Sequence, residues 1–176
     1  GTASGAAEVS SVSLTYEIFQ PYPPLSGVRI TQNSAHDGGG IYANGSTFVS
    51  LRETSLRDNA ATRYGGAIYL FGAELQMLRH PTFVGWPIIC AGSTGCNQMT
   101  GNSAAFSGGA VSLWNNARAY IGQALIARNT SRDAIIDSFI QSVVSNQTNR
   151  LTLESVVIAD NQCTATNGAC GTIRLS

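Results

Sequence analysis

Apolar residues along this chain fall in short alternating runs broken by polar corners, and no stretch keeps a helical period. Three of the runs, beginning at Ile41, Ile68 and Val111, each follow a pair of glycines, in the phrases GGGI from Gly38, GGAI from Gly65 and GGAV from Gly108. A second phrase recurs with them, an apolar residue three places before an asparagine: Ile30 and Asn33, Leu56 and Asn59, Met99 and Asn102, Ile126 and Asn129, Ile158 and Asn161. The pattern predicts short strands joined by polar corners, with no helical period.

The spacing turns these phrases into a repeat. Gly38 to Asn59 and Gly108 to Asn129 are both 21 residues, whereas Gly65 to Asn102 is 37, so the middle unit carries 16 extra residues (37 − 21), placed at about 79–97. Counting back 21 from Asn161 puts IQSV, from Ile140, where the other units have their glycines, and CGTI from Cys170 opens a further unit. Units of about 27 residues made of short β-rich runs are the signature of a β-solenoid, in which each unit buries its apolar side only against its neighbours. The expected fold is therefore all-β, a parallel β-helix of about five to six coils with one long inserted loop.

Superposing the units assigns faces. Ile41, Ile68, Val111 and Val143 fall at one inward position and Leu51, Leu78, Ile121 and Leu153 at another, with the residue before each asparagine as a third. Asn33, Asn59, Asn102, Asn129 and Asn161 stack at a corner, where an amide tolerates left-handed backbone and can bond the amide of the next coil. The glycine pairs admit the positive φ or close approach that a sharp corner demands. A phosphate-cradling role for them is excluded, since no helix follows and no GK[ST] is present. Residues 1–27 fit the unit poorly and read as an N-terminal cap or degenerate first coil, with Pro21, Pro23 and Pro24 opposing a regular strand; the repeats occupy 28–176.

The pairing of GGA[ILV] with hydrophobic-x-x-N resembles the repeats of the chlamydial polymorphic outer membrane proteins and related autotransporter passengers. In that family the tetrapeptide usually opens with Phe, here with Ile, Leu or Met. The resemblance covers roughly residues 28–176 and implies a right-handed parallel β-helix of the pectin lyase-like kind, extracellular or displayed on the outer cell surface, often adhesive. The β-barrel that would anchor such a passenger is absent from these 176 residues.

Charge narrows the functions. Ten acidic residues balance ten basic ones, and charged residues are 11% of the chain, so no field favours nucleic acid or an anionic membrane. No apolar run approaches the roughly 20 residues of a membrane span, and the first residues lack the layout of a signal peptide. The chain thus reads as soluble, either mature or an excised piece, without membrane insertion by this segment. All ten basic residues are arginine, which removes lysine as a catalytic base. The four cysteines fall in two close pairs in polar loops, Cys90 with Cys96 and Cys163 with Cys170. Such loops suit local disulfides and an oxidising compartment. Zinc is the competing reading, but neither spacing is CxxC and only His36 and His80 could add imidazole; buried free thiols are the third.

Candidate chemistry lies on the outward positions, where Tyr42 and Tyr69, then Asn44, Phe71 and Trp114, then Phe48, Leu75 and Arg118, then Ser50, Met77 and Tyr120 alternate with the inward stacks. Either the insertion folds over these groups, or they form an exposed aromatic face for a glycan or a cell-surface protein; packing between molecules is a third use. On the second reading the ligand-binding set is Phe71, Trp114 and Tyr120 with Arg79, His80 and Trp86 of the insertion. The alternative is a pectinase-like polysaccharide hydrolase or lyase, for which Asp133, Asp137 and Asp160 are the best acid cluster. Corner aspartates are ordinarily turn formers, and the same holds for His36 beside Asp37. Asp37, Asp58 and Asp160 lack the acidic repeat of calcium-binding β-rolls, so no metal or other cofactor is assigned. The working expectation is a binding or adhesion module.

Overall fold

The structure, a computed structural model, describes residues 12–13, 28–78, 96–140, 148–165 and 171–175; everything below concerns these. All regular structure among them is β, in three sheets whose pairings are all parallel. One five-stranded sheet, termed the aromatic sheet, stacks Ile41–Asn44, Ile68–Phe71, Val111–Trp114, Ala134–Phe139 and Gly171–Leu175. The second, the corner sheet, stacks Ser34–Asp37, Ala60–Tyr64, Ser103–Ala104, Thr130–Ser131 and Gln162–Cys163. The eight-stranded long sheet takes the rest, and its ten-residue strands Arg118–Ala127 and Arg150–Ala159 join two parts that are separate strands in the earlier repeats. Each strand thus pairs with its counterpart one repeat away. Of residues 1–27, Val12–Ser13 form a strand beside Phe48–Arg52.

Parallel stacking turns sequence repetition into ladders. Ile30, Leu56, Met99, Ile126 and Ile158 are register partners in series, as expected. So are Ile41, Ile68, Val111, Ile136 and Ile173. The middle members are sealed from solvent: Leu56, Met99, Ile126, Ile68, Val111 and Ile136 are all 0% exposed. Each such burial contributes roughly 1.5–3 kcal/mol.

Two ladder members differ from the sequence expectation. Met77, not Leu78, pairs with Leu51 and Ile121, and Leu75 also turns inward, between Val49 and Ala119. The cause is a corner one residue shorter: Gly45, Ser46 and Thr47 separate the aromatic and long sheets in the first repeat, but only Gly72 and Ala73 do so in the second. Side chains alternate with period two, so losing one residue exchanges the faces of the whole following strand. The place assigned to Val143 is held by Ile136, while Val143 and most of IQSV lie outside the described residues. Asn129 to Ile136 spans seven residues where Asn102 to Val111 spans nine, so the fourth corner is shorter rather than longer.

The asparagine corner forms as expected with one correction. Left-handed backbone falls on the residue before each ladder asparagine, at Gln32, Asp58, Gly101, Arg128 and Asp160, with φ between 54° and 69°. This frees each amide for the ladder. Asn59 Nδ2 donates to Asn102 Oδ1 at 3.0 Å and to the Ile30 carbonyl at 2.9 Å, while its backbone N–H also donates to Asn102 Oδ1. Asn102 does the same toward Asn129 and Leu56, and Asn129 toward Asn161 and Met99. The glycine pairs divide two tasks. Gly65 has φ +68°, whereas a Cβ on Gly66 would lie 2.3 Å from the Gly109 carbonyl oxygen, so the first turns the chain and the second lets the next repeat approach.

Two amides that the repeat did not reveal, Asn97 buried and Asn149 partly buried, come shortly after segments outside the described residues. Asn97 follows the insertion: its Oδ1 accepts from Thr54 N–H, and its Nδ2 donates to the Leu78 and Gly122 carbonyls. Asn149 accepts from Ala117 N–H and donates to the Leu113 and Phe139 carbonyls; residues 141–147 before it lie outside the described residues.

Candidate functional site

The outer face of the aromatic sheet gathers the rings. Parallel register sets Tyr42 directly beside Tyr69, stacked at 5.4 Å with planes 13° apart. The next residue in that column is Ser112, whose small side chain leaves a gap. Trp114 fills it: its indole Nε1 donates to Ser112 Oγ at 2.9 Å, and its ring lies 6.1 Å from Tyr69 and 4.6 Å from Phe139. Tyr64, just ahead of the Gly65–Gly66 pair, leans in from the corner sheet to 4.9 Å from Trp114 and carries Phe106 with it at 5.8 Å. Tilted rings at these separations are favourable beyond the area they bury. The layer is part packed and part open. Tyr69 is 6% exposed, and burial first, then nearby Asp37, pushes its hydroxyl above the ordinary tyrosine range; Phe71 and Phe106 are each 37% exposed.

Ion pairs border the rings. Asp37 receives Arg63, which also lies over the Tyr64 ring. On the other side Arg132 bonds Asp133 at 2.8 Å and covers Phe106 at 4.8 Å. Arg174 Nε donates to Asp137 Oδ1 at 2.9 Å, and its Nη1 lies 3.7 Å from Asp133 Oδ2. Asp137 is fully buried, and its Oδ2 has no hydrogen-bond partner.

The sequence candidates are thereby sorted. Phe71 and Trp114 are neighbours in register on this face, but Tyr120 belongs to the long sheet, between Gln76 and Thr152, where its hydroxyl bonds Glu154. Arg79, His80 and Trp86 lie outside the described residues, as does most of the insertion. Tyr64, Phe106, Phe139, Arg63 and Arg174 were not singled out from the sequence. An aromatic just ahead of a glycine pair was the available signal for Tyr64 and Phe106. Phe139 was hidden by the misplaced fourth repeat.

Among the acids, Asp133 and Asp137 do share Arg174, but Asp160 is the left-handed residue of the asparagine corner, at a different edge of the corner sheet. The hydrogen bond from Arg132 holds the Asp133 carboxyl below its ordinary range, opposite to what a general acid requires. His36 Nδ1 contacts Thr62 Oγ1 at 2.8 Å. No group of three or more metal-ligating side chains occurs among the described residues. Neither Cys96 nor Cys163 is a free thiol; Cys90 and Cys170 lie outside the described residues.

Comparison with known proteins adds nothing to this picture: no family model, curated protein or solved structure matches the chain significantly.

Proposed function

We propose that this chain is a length of right-handed parallel β-helix, of the kind found in autotransporter passengers, that works outside the cell as a binding or adhesion module. What supports the solenoid is the unbroken parallel pairing of every repeat with the next, together with the asparagine ladder; the handedness follows the strong preference of parallel crossover connections. Local disulfides Cys90–Cys96 and Cys163–Cys170 belong to the same reading and suit an oxidising exterior.

The observation that carries a binding role is the aromatic layer on one outer face. Rings are expected in a core, yet these point away from it, and large outward apolar groups mark interaction surfaces. The polysaccharide-degrading alternative is disfavoured by arginine-neutralised Asp133 and Asp137 and by the separate position of Asp160. The partner is a glycan or a cell-surface protein. To test this, cell binding by the purified chain is compared with that of the double variant Phe71→Ala/Phe106→Ala. Loss of binding with an unchanged β-sheet circular dichroism spectrum is expected; undiminished binding by the folded variant would remove the aromatic face from the proposal.

A further inference from the structure

The border of the aromatic face restricts what it can hold. Among the described residues three guanidinium groups stand there, and each is already matched: Arg63 by Asp37, Arg132 by Asp133, and Arg174 by Asp137 with Asp133. Three positive charges meet three negative ones, so these described residues give the border no net charge. A polyanion would have to draw an arginine from its carboxylate. At Arg174 that step would strand Asp137, which is buried, without its counter-charge.

A neutral sugar asks for something else. Its C–H side wants an apolar ring, and its hydroxyls want donors and acceptors held in fixed directions around that ring. Phe71, the register partner of Trp114, and Phe106, joined to the cluster through Tyr64, expose ring surface. The matched pairs provide the polar part. A guanidinium has five N–H donors and a carboxylate about four acceptor positions, so a pair bonded once or twice keeps further positions. The side chains of Arg132 and Arg63 are 52% and 43% exposed, so those donors reach solvent at the rim.

From this complementarity we infer that the ligand of the aromatic face is an uncharged glycan and not a uronate or other polyanion. The inference rests on the proposed binding role and names the chemistry of its partner.

The experiment titrates the full chain with neutral oligosaccharides of glucose, galactose and mannose and, separately, with oligogalacturonate, following tryptophan fluorescence and calorimetric heat at low and high salt. Saturable binding of at least one neutral oligosaccharide is expected, insensitive to salt and weakened about tenfold or more by Phe71→Ala. Phe48→Ala, on the long sheet, should bind as the parent does. Preference for oligogalacturonate, with affinity falling steeply as salt rises, would overturn the inference. Cell binding that needs Phe71 and Phe106 while no neutral oligosaccharide binds would also overturn it, leaving a protein partner on the same face. Cell binding that survives the double variant would defeat the binding face itself.

Discussion

Replacing Asn102 by Ala tests the ladder where its consequences can be traced atom by atom. The side chain is 0% exposed and makes four hydrogen bonds: Nδ2 to the Leu56 carbonyl and to Asn129 Oδ1, and Oδ1 from the Asn59 backbone and side-chain amides. Truncation leaves the Asn59 N–H and one Asn59 amide proton without these partners and takes one donor from the Leu56 carbonyl, which belongs to a ladder strand. Asn129 Oδ1 keeps the Asn102 backbone N–H at 2.9 Å. A buried orphan costs about 1–3 kcal/mol, so with two adjacent donors orphaned and one bond to a carbonyl lost, a total of about 2–5 kcal/mol is expected. That is a large part of the 5–15 kcal/mol typical of a domain. Asn33→Ala is the control, because among the described residues it ends the ladder, is exposed and donates its side-chain amide only to Asn59; its loss should stay below about 1 kcal/mol. Urea unfolding followed by circular dichroism measures both. Asn102→Asp sharpens the test through pH. One carboxylate oxygen would face two acceptors, the Leu56 carbonyl and Asn129 Oδ1, so burial and repulsion raise the folded pKa above the unfolded value. The variant should then be least impaired below about pH 4 and lose stability as pH rises through the raised folded value. Equal losses for Asn102→Ala and Asn33→Ala, or a pH-independent deficit in Asn102→Asp, would refute the ladder as a source of stability.

Three further outcomes are expected. Met77→Ala and Ile121→Ala should each lose about 2–5 kcal/mol in urea unfolding while Leu78→Ala loses clearly less, because Met77 and Ile121 are sealed and Leu78 is not; the reverse order would restore the register that spacing alone suggests. Asp133 is bonded by Arg132 and its pKa is lowered, so its contribution is present above the unfolded carboxyl value and lost as pH falls through the lowered folded one. Thermal unfolding between about pH 2 and 6 should therefore show a weaker acid dependence in Asp133→Asn than in the parent, and identical profiles would contradict the pairing. Mass spectrometry of unreduced, alkylated protein should find Cys90–Cys96 and Cys163–Cys170 as disulfide-linked peptides; four alkylated cysteines would remove the main chemical argument for an exterior location.

What could be read from the chain itself was whatever the backbone demands locally in every repeat. A glycine where φ is positive, a second glycine where the neighbouring backbone leaves no room for Cβ, and an asparagine at a stacked corner are imposed at fixed places, so they recur and can be counted. The ladders through Ile30, Leu56, Met99, Ile126 and Ile158 and through Ile41, Ile68 and Val111 were legible because they lie within a few residues of those markers.

Legibility failed with distance from the markers. Between Phe71 and Glu74 the chain omits one corner residue, and with a period of two that omission exchanges Met77 and Leu75 for Leu78 as core. The fourth repeat lacks the glycine pair, so its strand could not be aligned, and Ile136 and Phe139 took positions that counting had given to residues further on. The candidate site depended on tertiary structure for the same reason. Tyr64, Ser112, Trp114 and Phe139 come from three repeats and two sheets, and they meet only because parallel stacking sets unlike residues side by side. Tyr120 shares their outward direction in sequence but turns a corner before it reaches the surface, and the corner at Asn115–Ala117 decides which face it joins. Outwardness is a local property of alternation; being on the same face is a property of how the corners turn, and no periodicity records that.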